Sequence, residues 1–96
     1  MTNYKRGAQK EYDICKIMRE AGYNAQRSAG SHGVWDVCCI GPNGVRFIQV
    51  KRSKKEWKAD YESAKHELQQ MPRLTGGCYE VWVWVDGQGW IIREVV

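Results

Sequence analysis

The chain has 96 residues, a formal net charge of +4 and a pI near 9.0. This length predicts one domain spanning residues 1–96, whose modest core leaves room for a partner subunit to bury more surface. The basic balance suits a polyanionic partner, although an ordinary globular protein can be equally basic. The sequence shows no signal peptide and no long apolar run, so we expect a cytoplasmic protein. Its four cysteines form no CxxC pair, which argues against a zinc site and favours free thiols.

The hydrophobic pattern predicts seven elements in the order helix, three strands, helix and two strands. In the segment 80–85, tryptophans and valines alternate, so both faces of that strand are apolar and we expect helices to cover it. The predicted fold class is therefore α/β, with a central mixed sheet flanked by helices. The predicted ranges are 6–21 for the first helix, 23–29, 35–40 and 45–51 for the next strands, a second helix opened by the capping box Ser53-Lys54-Lys55-Glu56, and 80–85 and 90–96 for the last strands.

Polar residues recur on the predicted hairpin around the turn Gly41-Pro42-Asn43-Gly44. If Gly41 faces Gly44, Asp36 lies opposite Gln49, and directly opposed Cβ atoms are about 4.5–5.5 Å apart. Lys51 lies two residues beyond Gln49 and shares its face. A slip of one residue at the turn would separate Asp36 and Gln49 onto opposite faces. A solvent-exposed sheet face decorated with polar groups would explain this pattern without a functional role, but Val45 and Phe47 share that face, so at least its start is apolar.

Glu11 is the third unexpected polar residue. Ala8, Tyr12, Cys15 and Met18 recur at helical spacing and predict the inward apolar stripe of the first helix. At about 100° per residue, Glu11 lies between Ala8 and Cys15 on this side. Burying a lone carboxylate is costly unless a cation or hydrogen-bond donors meet it. A salt bridge to a lysine or arginine, or an edge position from which the side chain reaches solvent, would explain Glu11 without a functional role.

Together these residues favour phosphodiester hydrolysis. Oxygen ligands without histidine or thiolate favour Mg²⁺, with Mn²⁺ as a substitute, and such ions bind a few protein oxygens together with substrate phosphate. Lys51 can orient the attacking water or stabilise the developing negative charge. Basic segments precede and follow the cluster and suit DNA, although solvated helix ends are often equally basic. The candidate DNA-binding residues in these segments are Lys5, Arg6, Lys10, Arg27, Arg52, Lys54 and Lys55.

These residues resemble a known nuclease family. Glu11 on the first helix, then Asp36, then Gln49-Val50-Lys51 resemble the PD-(D/E)xK superfamily, and within it the chain is similar to the archaeal-type Holliday-junction resolvases. The resemblance covers residues 4–54, and the second half matches in the order of its elements. The other matching segments are Lys5-Arg6-Gly7, Gln26-Arg27-Ser28 and Ser31-His32-Gly33.

The resemblance implies a restriction-endonuclease-like fold and a homodimer that cuts two opposed strands of a four-way DNA junction. It implies that Asp36 and Glu11 bind the metal ion, with Gln49 and Val50 in the motif that supplies further ligands, and that Lys51 is the catalytic lysine. It also implies a role for Ser31 in a loop that contacts DNA near the cut. His32, beside Ser31, is a further candidate phosphate contact.

Two residues depart from the family pattern. Gln49 stands where the family usually has glutamate, so the site carries less negative charge and is expected to hold Mg²⁺ more loosely. Certain restriction-type nucleases look similar in using glutamine there, so activity is not excluded. Trp35 stands where proline is common. The alternatives left open are a nuclease acting on duplex, flap or damaged DNA, and a DNA-binding module with weakened catalysis.

Overall fold

In the part of the chain that the structure describes, the architecture is a five-stranded sheet with one helix on each face. The computed structural model describes residues 3–28 and 33–96, without the side chains of residues 3–7. Across that part of the chain, neither helix is both long and apolar enough to cross a membrane. The elements are α1 (Asn3–Glu20), β1 (Asn24–Arg27), β2 (Val37–Gly41), β3 (Gly44–Ser53), α2 (Lys58–Gln69), β4 (Gly77–Val85) and β5 (Gly89–Val95).

The sheet is mixed, and its strands lie in the order β1-β2-β3-β4-β5. Strands β3 and β4 are parallel, whereas the other neighbours are antiparallel. A parallel pair needs a long crossover connection, which α2 supplies. The predicted α/β class and element order are thereby confirmed.

Two apolar layers cover the sheet. On one face, α1 packs Ile14, Cys15 and Met18 against Val37 and Ile48. On the other face, Ala64 and Leu68 of α2 contact a layer that includes the valines of β4. Strand β4 is buried on both faces, as the alternation of tryptophan and valine predicted. The four cysteines are free thiols, and burial raises the pKa of Cys39 to about 12.

The β2–β3 turn sets the register of the hairpin. Gly41 pairs with Gly44, as predicted, and Val37 pairs with Ile48. Gly44 has a φ of 130°, in the region that side chains disfavour. A Cβ on Gly44 would also lie 2.1 Å from the carbonyl oxygen of Gly76. This oxygen accepts a hydrogen bond from the Val45 amide at 3.0 Å, so the close approach that requires glycine also ties the turn to β4.

Two local expectations were wrong. Ser53 does not cap a helix: it is the last residue of β3, pairs with Val85, and its hydroxyl donates to Asp60 at 3.2 Å. Helix α2 begins only at Lys58, after a Trp57 N-cap without a side-chain hydrogen bond. Strand pairing therefore outweighed the local capping signal. Tyr12, assigned to the inward stripe of the first helix, is 55% exposed.

A buried ion pair joins β3 to β4. The carboxylate of Glu80, only 2% exposed, accepts hydrogen bonds from Arg46, one of them from Nη2 at 2.8 Å. It also accepts one from Trp82 Nε1 at 3.0 Å. Burial alone would raise the pKa of Glu80, but the bonds from Arg46 and Trp82 outweigh it and hold this pKa below its usual range.

We expect Arg46→Met to lower the free energy of unfolding by about 3 kcal/mol or more, because it leaves a buried carboxylate without its cation. The lowered pKa of Glu80 means that its stabilisation is present above about pH 4.3 and is lost as the pH falls further. The difference between wild type and variant should therefore narrow in acid. Urea unfolding at pH 7 and pH 3.5 measures both effects. The control is Arg73→Met, at an exposed position, and equal stability of Arg46→Met and wild type at pH 7 would contradict the prediction.

Candidate active site

Asp36 lies immediately before β2 and is fixed there by two hydrogen bonds. Its amide donates to the Ile48 carbonyl at 2.8 Å. Its carboxylate oxygen Oδ2 accepts the Val50 amide, also at 2.8 Å. These bonds go to the residues on either side of Gln49, so Asp36 lies next to this part of β3. The paired ladder ends at Val37 and Ile48, and the Asp36 amide bonds the Ile48 carbonyl instead of continuing that register to Gln49. The direct pairing of Asp36 with Gln49 therefore stays a prediction.

The environment of Asp36 disfavours its charged form. Burial is the largest influence and raises its pKa, and the nearby charge of Glu11 raises it further. The Val50 hydrogen bond and the charges of Lys51 and Arg27 act in the opposite direction, and the pKa remains above its ordinary value. Asp36 therefore lies within electrostatic range of Glu11, Lys51 and Arg27.

Gln49 has a buried oxygen that lacks a partner. The residue is 7% exposed, and its Oε1 accepts no hydrogen bond from any residue that the structure describes. Because Ile48 and Val50 face α1, alternation places Gln49 and Lys51 on the opposite face of β3. Leaving a buried acceptor unpaired costs about 1–3 kcal/mol, a cost that a bound cation would offset.

Glu11 approaches from the α1 side and already has a cationic partner. Arg27 Nε lies 3.0 Å from Glu11 Oε1, and the two side chains are only 15% and 18% exposed. Arg27 Nη1 also donates to the Tyr12 hydroxyl at 2.9 Å. The salt bridge that the sequence left open is therefore present, and Glu11 lies at the border of the apolar face. Sequence reasoning did not identify Arg27 as this partner, although a carboxylate among apolar positions signals that a cation is near.

Some candidate DNA-binding residues are exposed to solvent, whereas others are paired with carboxylates of the chain. Lys54 and Lys55 are exposed between β3 and α2. Arg52 forms an ion pair with Asp86 at 3.0 Å. Lys10 is only 8% exposed, so it is not presented to solvent as its assignment requires.

Lys10 instead has an internal role. Its ammonium lies 2.9 Å from the Asp13 carboxylate and 3.3 Å from the ring centroid of Trp84. An ammonium over an aromatic face is stabilised electrostatically when desolvated. Ser31 and His32, and the side chains of Lys5 and Arg6, lie outside the residues that the structure describes.

Comparison with known proteins identifies the chain's family. The family model for the archaeal Holliday junction resolvase (Hjc) matches residues 2–92. The match places the chain among the nucleases. More narrowly, it belongs to the archaeal Holliday junction resolvase family.

The solved structures agree on the fold. The chain is similar to Hjc of Archaeoglobus fulgidus, described as a Holliday junction resolvase from an archaeal hyperthermophile. The TM-score is 0.63 at 24% sequence identity, and the alignment covers 88% of this chain and 69% of that one. No curated protein matches.

We expect Asp36→Asn to raise the free energy of unfolding at pH 7 in metal-free buffer by about 0.5–2 kcal/mol, since it removes a charge that burial disfavours. Because the pKa of Asp36 is raised, wild type gains stability relative to the variant as acid protonates Asp36. The difference should thus shrink between pH 7 and pH 4. Urea unfolding with EDTA measures it, and a variant less stable than wild type at pH 7 would contradict the expectation.

Proposed function

We propose that the protein is a Mg²⁺-dependent endonuclease that hydrolyses phosphodiester bonds in four-way DNA junctions. The observation that carries the proposal is a fixed carboxylate whose backbone partners flank a residue with an unsatisfied oxygen. Asp36 is held by the Ile48 carbonyl and the Val50 amide, each at 2.8 Å. Between them on β3, the buried Gln49 Oε1 lacks a donor among the described residues. Family membership supports the same chemistry.

The donor atoms fit Mg²⁺, for which Mn²⁺ could substitute. Asp36 and Gln49, together with the Val50 carbonyl, would hold the ion, and Glu11 would bind it directly or through water. The described residues include no cluster of three or more His, Cys, Asp or Glu side chains that could hold a metal ion. Mg²⁺ commonly binds through one or two protein carboxylates, with water and substrate phosphate as its other ligands. When bound, Mg²⁺ supplies a more acidic water and neutralises charge on the phosphate.

Lys51 is the residue that would act on the reacting phosphate. It shares a face of β3 with Gln49 and lowers the pKa of Asp36 through its charge. From this position its ammonium would hydrogen-bond the attacking water or the phosphate oxygen on which negative charge develops. Because positioned charges act strongly in a site of low polarity, its loss is expected to slow hydrolysis by about 10²–10³-fold.

The partner in this proposal is branched DNA, bound by a homodimer. The exposed Lys54 and Lys55 would contact phosphates, with Ser31 and His32 proposed near the cut. A domain of this size gains buried area by pairing, and two copies would present two sites to the opposed strands of a junction.

Cleavage of a synthetic four-way junction tests the proposal. With Mg²⁺, we expect wild type to make symmetric paired cuts, and Asp36→Ala and Lys51→Ala to lose at least 100-fold in rate while still binding the junction. Arg73→Ala, at an exposed loop position, is the control. Cleavage that survives both site substitutions would place the active site elsewhere. Equal cutting of a linear duplex of matched length would favour a duplex, flap or damaged-DNA nuclease.

Gln49→Glu tests the departure from the family pattern. A carboxylate at position 49 adds a negative charge next to Asp36, so we expect half-maximal cleavage at a Mg²⁺ concentration roughly tenfold lower. Titration of cleavage rate against Mg²⁺ and Mn²⁺ measures this. A protein that binds junctions but never cuts, with either metal and with either residue, would instead be a DNA-binding module that has lost catalysis.

A further inference from the structure

The charges around Asp36 balance one another in the free protein. Asp36 and Glu11 are acidic, Lys51 and Arg27 are basic, and all three neighbours influence the Asp36 carboxyl electrostatically. Gln49 adds no charge. With these groups in their ordinary ionised forms the centre sums to zero, whereas a glutamate at position 49 would leave it at minus one. A neutral centre attracts a divalent cation weakly.

Arg27 is held in place by several contacts. Its Nε is 3.0 Å from Glu11 Oε1, and Nη1 donates to the Tyr12 hydroxyl at 2.9 Å. Its guanidinium carbon also lies 4.4 Å from the ring centroid of Tyr12. Because Arg27 and Glu11 are mostly buried, solvent screens this pair far less than it screens a surface salt bridge.

We propose that Arg27 is a positioning residue that serves as the internal counter-ion of Glu11 and competes with the divalent cation for it. The inference rests on the proposed function. A DNA phosphate offers the guanidinium an alternative partner with matching geometry. Transfer of Arg27 from Glu11 to phosphate leaves Glu11 available to the cation, so DNA and metal bind cooperatively.

The buried oxygen of Gln49 supports this reading independently of the charges. Its Oε1 lacks a donor among the described residues, whereas Glu11 Oε1 already accepts a hydrogen bond from Arg27 Nε. In the free protein, Gln49 Oε1 is therefore a candidate metal ligand without a partner among those residues, whereas the Glu11 carboxylate is paired with Arg27. Removal of Arg27 is expected to change the availability of Glu11 and not that of Gln49.

Mn²⁺ binding to the protein without DNA tests the proposal. Free Mn²⁺ is measured by electron paramagnetic resonance during titration. We expect Arg27→Gln to bind Mn²⁺ roughly tenfold more tightly than wild type, and Arg27→Lys, which keeps the charge, to stay close to wild type. Arg73→Gln removes the same charge at the Gly77 end of the sheet, about 20 Å along the strands from Lys51, and should leave Mn²⁺ affinity unchanged.

DNA binding supplies a second measurement that moves in the opposite direction. In EDTA, fluorescence anisotropy with a labelled four-way junction should show weaker binding by Arg27→Gln, with a salt dependence reduced by about one phosphate contact. A residue with a merely structural role would weaken both metal and DNA binding. Tighter Mn²⁺ binding with weaker DNA binding is therefore the result that supports the proposal.

Other outcomes overturn it. Unchanged or weaker Mn²⁺ binding by a folded Arg27→Gln would show that Arg27 does not compete with the cation. If that variant fails to fold by thermal melting, Arg27→Met, whose aliphatic stem can still pack on the Tyr12 ring, is titrated instead and judged by the same criterion. The proposed function is tested separately by Mn²⁺ titration of Gln49→Glu, alone and combined with Asp36→Asn. If Gln49→Glu shows no Mn²⁺ binding that the added Asp36→Asn abolishes, the proposed metal centre is wrong.

Discussion

The register of the β2–β3 hairpin decides where the polar side chains of the candidate site lie. Gly41 faces Gly44, and the carbonyl of Gly76 approaches so closely that a Cβ on Gly44 would lie 2.1 Å from it. The turn is thus held by β4 as well as by its own geometry. A slip of one residue would turn Gln49 and Lys51 towards α1 and separate them from Asp36. A glycine far from the chemistry therefore determines the spatial arrangement of the site.

Local sequence predicts much of this arrangement because its causes are local. Turn residues specify the hairpin, and strand alternation puts Gln49 and Lys51 on one face. The capping box at Ser53 failed because pairing with Val85 in β4 outweighs a local signal, and sequence alone does not show that competition. Lys10 was misassigned for a similar reason, since the ring of Trp84 that covers its ammonium is distant in sequence.

The polar groups of the candidate site lower the stability of the fold. Burial raises the pKa of Asp36, and Gln49 Oε1 is buried without a donor among the described residues. A sheet selected for stability alone would place apolar residues at both positions. Elsewhere the same sheet satisfies its buried charge, as Arg46 and Trp82 do for Glu80. The contrast sets the Asp36–Gln49 pair apart from an ordinary polar core contact.

Gln49 and Arg27 both reduce the negative charge of the candidate site. A third carboxylate beside Asp36 and Glu11 would bind a cation more tightly but would repel its neighbours whenever the cation is absent. A neutral glutamine removes that repulsion, and Arg27 neutralises Glu11 within an ion pair that is largely shielded from solvent. On the proposed mechanism, the metal-free protein has less repulsion between carboxylates and a lower affinity for the metal. DNA phosphate then restores that affinity by taking up Arg27, which would confine metal binding to the complex in which hydrolysis occurs.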